Sequence, residues 1–333
     1  MGRSRVLSRA AAFVLGVAGI GCSGSEEPTA QAWADGEMAL IKAVQHDPGQ
    51  LSFMLPSLKN ERSMKQLTDA GVAALLEHPD LPDLDTLHFM GVNITHETVR
   101  SVVASPKSRS LSELGFAFAP LGDAGLEAIA AWPGLATVKT LGFDKTEATV
   151  AGLKALAEGP YGKDLPGLSL DWQSVGDAGA EVLSQARVRG PLSLKDSGVR
   201  GPGARALISR APSPSINLQE NPVGPGGLVG LEAIGEGLVG LTLNDCQLGA
   251  EDVAALAAAS APSTFISLSL GDGNYGDAGL RAIAAAPWLS QLEHLYIDTD
   301  SSAAAQAELR AVWGDRKGLG VGGVWSGGSQ SAK

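Results

Sequence analysis

The stretch Leu111-Ser-Glu-Leu114-Gly-Phe116-Ala-Phe118-Ala119-Pro-Leu121-Gly-Asp123-Ala-Gly-Leu126-Glu-Ala-Ile129-Ala-Ala131 changes its apolar period halfway along. Leu114 and Phe116 alternate with a small residue, the period of a strand with one buried face, but over only about three residues, too few to stand without neighbours. From Leu121 onward Leu126 and Ile129 follow helical spacing, and Asp123 stands where a cap would satisfy free helix N–H groups. Strand and helix in so short a stretch make one supersecondary unit. Such a unit cannot bury its apolar face alone.

The same unit recurs along the chain. Its first strand leucine or isoleucine falls at Leu87, Leu114, Leu141, Leu168, Leu192, Ile216, Leu241, Leu268 and Leu295, with spacings of 27, 27, 27, 24, 24, 25, 27 and 27 residues. The helix start repeats almost letter for letter at Leu67-Thr-Asp-Ala-Gly, Val175-Gly-Asp-Ala-Gly and Tyr275-Gly-Asp-Ala-Gly. Pro79, Pro106, Pro133, Pro160, Pro212, Pro262 and Pro287 fall between helix and next strand, where a missing N–H does no harm. A period of this length means stacked units sharing one continuous core.

Aligned, the units spell L-x-x-L-x-L-x-x-N/C-x-L, which resembles the leucine-rich repeat family and within it the ribonuclease-inhibitor-like subgroup. The resemblance implies an α/β solenoid, a horseshoe of about nine strand–helix repeats with a parallel concave sheet and helices on the convex side. At the Asn/Cys position only Asn221 and Cys246 match, beside Val92, Ala119, Thr146, Gln173, Ser197, Gly273 and Asp300, so the buried amide ladder of the family is expected to be patchy. Gly224-Pro-Gly-Gly is explained by turns. Domain limits are expected at 1–21 for a signal peptide, 22–34 for a tether and 35–66 for an N-terminal cap. The repeats then occupy 67–300, a C-terminal cap with a further strand at Leu319–Val321 occupies 301–325, and 326–333 is a disordered tail.

Arg3, Arg5 and Arg9 precede an apolar run from Ala10 to Gly21, directly followed by Cys22, the layout of an export signal. The run is too short for a spanning helix, which needs about 20 residues. Gly19-Ile-Gly-Cys22 resembles the lipobox of bacterial lipoproteins, with Gly19 where that family prefers leucine; it implies lipidation of Cys22 and anchoring in the cell envelope. Ser23 after the cysteine implies the outer membrane. Losing the three arginines of residues 1–21, which hold no acid, takes the formal net charge from −11 to −14. A body that acidic repels nucleic acid and anionic lipid faces, so no nucleic-acid partner is expected and the membrane is met through the anchor alone.

Function then falls to the surface that stacking creates. Beside the buried strand residues runs an acidic rim, Asp144, Asp171, Asp196, Glu220, Asp245 and Asp272, with Phe118 and Trp172 near one end. Like charges this close stay hydrated or meet a complementary partner, and aromatics beside charges have the composition of an interface hot spot. The expected partner is a basic protein or peptide; the alternative is a structural envelope lipoprotein without a discrete ligand. No catalytic set, metal site, cofactor or small-molecule substrate is expected. His88 and His294 are eight units apart, and no nucleophile elbow or phosphate loop occurs.

Overall fold

The computed structural model describes residues 50–54, 68–321 and 324–325. The signal, Cys22, the tether, most of the N-terminal cap and the tail expected from the sequence lie outside the described residues. Strands are β1 (Gln50–Met54), β2 (Thr86–Met90), β3 (Glu113–Ala117), β4 (Thr140–Asp144), β5 (Gly167–Ser169), β6 (Leu192–Ser193), β7 (Ser215–Asn217), β8 (Gly240–Thr242), β9 (Ser267–Gly273), β10 (His294–Thr299), β11 (Leu319–Val321) and β12 (Val324–Trp325). They form one sheet in sequence order. β1 to β11 run parallel in a register that puts Leu87, Leu114, Leu141, Leu168, Leu192, Ile216, Leu241, Leu268, Leu295 and Leu319 side by side. β12 turns back antiparallel against β11.

The helices are α1 (Asp69–Glu77), α2 (His96–Ala104), α3 (Gly122–Ala130), α4 (Val150–Glu158), α5 (Gly176–Ser184), α6 (Gly201–Arg210), α7 (Ala250–Ala258), α8 (Gly276–Ala284) and α9 (Ala303–Trp313). All are short, so their stability comes from burying one face against the sheet rather than from propensity. Leu126, Ile129, Leu153 and Leu156 on two such faces are fully buried. Phe89, Phe116 and Phe143 form a spine under the first strands, with ring centroids 5.4 and 5.2 Å apart.

One repeat departs from the expected pattern: no helix follows β7. The segment Gly224-Pro-Gly-Gly-Leu-Val-Gly-Leu-Glu-Ala-Ile-Gly-Glu-Gly237 holds six glycines, each costing a helix interior about 1 kcal/mol. Leu228, Leu231 and Ile234 are buried in the helix's stead. Eight of the nine strands β2 to β10 are followed by a helix.

The expected role of Asp123 also needs correction. It does not cap its own helix, since α3 has no side-chain cap; it caps the helix of the next unit. Its carboxylate accepts from the Thr149 N–H at 2.7 Å, the Thr149 hydroxyl at 2.8 Å and the Gly152 N–H at 3.0 Å. Asp69 does the same for Thr95 and Thr98, Asp177 for Arg200 and Gly203, and Asp277 for Ser302. A Cβ on Gly152 would come within 2.7 Å of Asp123 Oδ1, and one on Gly203 within 2.6 Å of Asp177 Oδ1, so these glycines make room for the bridges.

If a unit is counted from the start of one strand to the start of the next, these bridges join units one and two, three and four, five and six, and nine and ten. Units seven and eight are joined as well, in the opposite sense. Asp252 of α7, fully buried, reaches back to the Gly226 and Leu228 N–H groups of the helixless turn at 2.9 and 2.8 Å. The ion pairs Arg210–Glu181 and Arg281–Glu308 also fall within such pairs.

The position expected to carry a patchy amide ladder is in fact closed by mixed donors through the middle of the stack. Gln173 Nε2 donates to the Phe143 carbonyl. Ser197 Oγ donates to the Leu170 carbonyl at 2.9 Å, Asn221 Nδ2 to Leu194 at 2.7 Å and Cys246 Sγ to Leu218 at 3.0 Å. Each second buried strand residue from Phe143 to Leu218 thus has its inward carbonyl satisfied by the next unit. Hydroxyl, amide or the weaker thiol can each serve, because the need is one donor of the right reach.

Candidate functional site

The acidic and aromatic rim stands where each strand ends. Gly91, Phe118, Lys145, Trp172, Asp196, Glu220, Asp245 and Asp272 occupy this place in eight consecutive units, all left-handed, with φ between 46° and 66°. The N–H of each of the first seven, Gly91 to Asp245, extends the lateral pairing, donating at 2.8–2.9 Å to a carbonyl of the next unit. The left-handed step then turns the chain inward toward the donor position. Glycine and aspartate take this conformation readily, whereas a bulky residue is strained in it.

Phe118 and Trp172 are therefore notable on two counts. They hold a conformation that disfavours them, by about 1–3 kcal/mol each, and they remain 45% and 38% exposed. Their rings meet at 5.8 Å between centroids. Lys145 Nζ lies 5.6 Å from the Phe118 ring centroid, and Lys195 Nζ lies 5.4 Å from that of Trp172.

The acids divide into two groups. Asp144 and Asp171 sit one residue earlier than the left-handed position, and each cross-links its neighbour. Asp144 Oδ1 accepts from Ser169 Oγ at 2.6 Å and the Asp171 N–H at 2.9 Å; Asp171 Oδ1 accepts from Ser193 Oγ at 2.6 Å and the Lys195 N–H at 2.8 Å. Asn244 repeats the arrangement with Ser269 and Gly271. Burial raises the Asp144 carboxyl above the usual range, with the Asp171 charge adding to it and the hydrogen bonds opposing. These two carboxylates hold the sheet's edge together.

Asp196, Glu220, Asp245 and Asp272 are exposed. Glu220 is met by Lys195 Nζ at 2.8 Å and by Gln219 Nε2 at 3.1 Å. That contact raises the Lys195 ammonium, helped by Asp171 and Asp196. Asp245 is raised first by burial and then by the charges of Asp272 and Glu220. Tyr296, further along, is raised by burial and by Asp298 and Asp272. Negative potential thus accumulates from Asp196 toward β10, while the aromatic end carries two lysines.

His88 is half-buried beside Glu113, and burial holds its imidazole below its ordinary value despite that carboxylate. Among the described residues no three His, Cys, Asp or Glu side chains group as a metal set, and no helix is long and apolar enough to cross a membrane. Cys246 is buried, and burial pushes its thiol up to about 12. A groove of about 700 Å³ lies between α4 and α5, lined by Lys154, Lys163, Glu158, Glu181 and Gln185 among others, away from the rim. Sequence reasoning placed all the rim residues in neighbouring columns but missed Lys195 as the cation inside the acidic run. Its position opposite Glu220 in the next unit is the signal that finds it.

The strand ladder, the helices on the other face and the inward donor position define a leucine-rich repeat solenoid. No family model matches the chain, and no curated protein matches it. Among solved structures it is similar to an internalin of Listeria monocytogenes, with 14% identity and a TM-score of 0.42 over 86% of this chain and 93% of the internalin. A chain of a TLR13–ssRNA13 complex is similar at 14% identity and a TM-score of 0.43; 81% of this chain is covered but only 40% of that one. A chain of the mouse RP105/MD-1 complex is similar at 10% identity and a TM-score of 0.34, with 81% and 61% covered. The fold assignment rests on the chain's own ladder.

Proposed function

We propose that this chain is an exported, lipid-anchored binding module of the bacterial cell envelope that holds a basic protein or peptide along its rim. The observation that carries this reading is the exposed pair Phe118 and Trp172, in left-handed backbone that repays them nothing, continuous with the exposed carboxylates Asp196, Glu220, Asp245 and Asp272. Aromatic residues are enriched at interface centres and charged ones at the rim around them, the arrangement found here. Asp144 and Asp171 contribute shape to that surface, since their Oδ1 atoms serve the sheet. Anchoring is assigned to Cys22, with acyl chains each adding about 0.8 kcal/mol per buried CH₂, and the outer membrane is the favoured address. A strand paired with a full helix in most units supports the ribonuclease-inhibitor-like subgroup. The module acts by binding and not by catalysis.

The test is crosslinking of the tagged full chain in its native envelope. One partner recovered stoichiometrically, and lost in the triple variant Asp196→Asn/Glu220→Gln/Asp245→Asn, is the expected result. A diffuse set that the variant leaves unchanged assigns the chain to a structural role without a discrete ligand. Radiolabelled palmitate incorporation, abolished by Cys22→Ser, checks the anchor.

A further inference from the structure

We propose that the face of Trp172, with the carboxylate of Glu220, is a receptor for an arginine side chain of the partner, and that Lys195 is its built-in occupant. The inference rests on the binding function proposed above and names the chemistry of its central contact. Lys195 Nζ lies 5.4 Å from the Trp172 centroid and 2.8 Å from Glu220 Oε1, the two contacts an incoming cation seeks. A ring face on one side and a carboxylate on the other attract a cation from both directions.

Three observations support exchange rather than permanent closure. The Lys195 side chain is 25% and the Glu220 side chain 38% exposed, so solvent reaches the pair. An ion pair at such a site contributes about 0–1 kcal/mol, little enough for a competitor to displace. A planar guanidinium stacks on an indole and pairs bidentately with a carboxylate, which an ammonium cannot do. Phe118, at 5.8 Å from Trp172, widens the stacking platform, and Lys145 already sits over it in the same manner. The chain therefore presents two aromatic faces, each screened by its own lysine, ahead of an acidic run that draws basic segments in.

The experiment is calorimetric titration of the full chain with a short acetylated and amidated peptide of alternating glycine and arginine, which reads every variant by the same heat of binding. Lys195→Met keeps the aliphatic stem and removes the charge; it is expected to bind about fivefold tighter than the unaltered chain. Lys154→Met, which makes the same change in net charge on α4, is expected to bind like the unaltered chain. Adding Trp172→Gly, which suits the left-handed backbone, is expected to erase the gain, and a lysine-for-arginine peptide to show a smaller one. Equal or weaker binding by Lys195→Met, an equal gain in Lys154→Met, or a gain that survives Trp172→Gly overturns the proposal. If the triple rim variant abolishes peptide binding while Lys195→Met gives no gain, the binding function stands and this inference alone falls. If the triple variant binds undiminished, or neither the unaltered chain nor Lys195→Met binds, both fall.

Discussion

Replacing Asn221 by alanine tests the inward ladder most directly. The side chain is fully buried. Its Nδ2 donates to the carbonyls of Leu194 at 2.7 Å and Leu218 at 2.9 Å, while Oδ1 accepts from the N–H groups of Ser197 at 3.1 Å and Val199 at 2.9 Å. Removing it orphans the Leu194 carbonyl and both N–H groups; the Leu218 carbonyl keeps Cys246 Sγ. A buried orphan costs about 1–3 kcal/mol, and a water admitted to the vacated space restores part of it. The expected net loss is about 4 kcal/mol, a large share of the ~5–15 kcal/mol that holds a domain folded. It corresponds to a melting temperature lower by roughly 10 °C. Cys246→Ala is the comparison: it removes one weak donor from a carbonyl that retains Asn221, and should cost about 1 kcal/mol. Urea unfolding followed by circular dichroism measures both. A loss under about 1 kcal/mol for Asn221→Ala, or one no larger than that for Cys246→Ala, refutes the claim that the ladder closes the stack.

Three further outcomes are expected. Asp123→Ala should cost about 1–2 kcal/mol and speed hydrogen exchange at the start of α4 rather than in α3; faster exchange confined to α3 would show that the carboxylate serves its own helix. Asp245→Asn should stabilise the chain at neutral pH, because a carboxyl whose folded value is raised above 3.8 is more stable protonated. That contribution is complete below the unfolded value and lost as pH rises through the folded one, so the variant's advantage should vanish in acid, and one that persists there counters the repulsion argument. Cys246, with its thiol pushed up to about 12, should resist thiol reagents at pH 8 until denaturant is added; rapid native labelling would mean that the central units open readily.

Strand positions were legible because burial fixes residue type every second place, and the register follows once each unit presents the same pair. The stacking order needed nothing more than the period. The missing helix after β7 was half legible: six glycines between Gly224 and Gly237 signal turns, but only the burial of Leu228, Leu231 and Ile234 shows how the core is filled without the helix. The target of Asp123 was not legible, since a carboxylate near a helix start looks like a local cap. Its reach to a chain segment 26 residues on depends on lateral stacking. Nor did the charge column disclose that its residues share left-handed backbone, although glycine and aspartate recurring at one position carry that hint. The split between sheet-linking Asp144 and Asp171 and the exposed acids one residue later is a matter of one backbone step, which composition cannot register.

The helix-start carboxylate bridges, which alternate from junction to junction, have a consequence for how such a chain changes length. Deleting one unit between Asp123 and Asp177 would bring two bridging carboxylates to one junction, or leave a threonine-started helix with nothing reaching across to it, whereas removing two keeps every partner matched. The duplicating and shedding of sequence by recombination should then be tolerated in doublets of about 50 residues, two repeat lengths. The parity of the stack, and not its total extent, is what selection inherits.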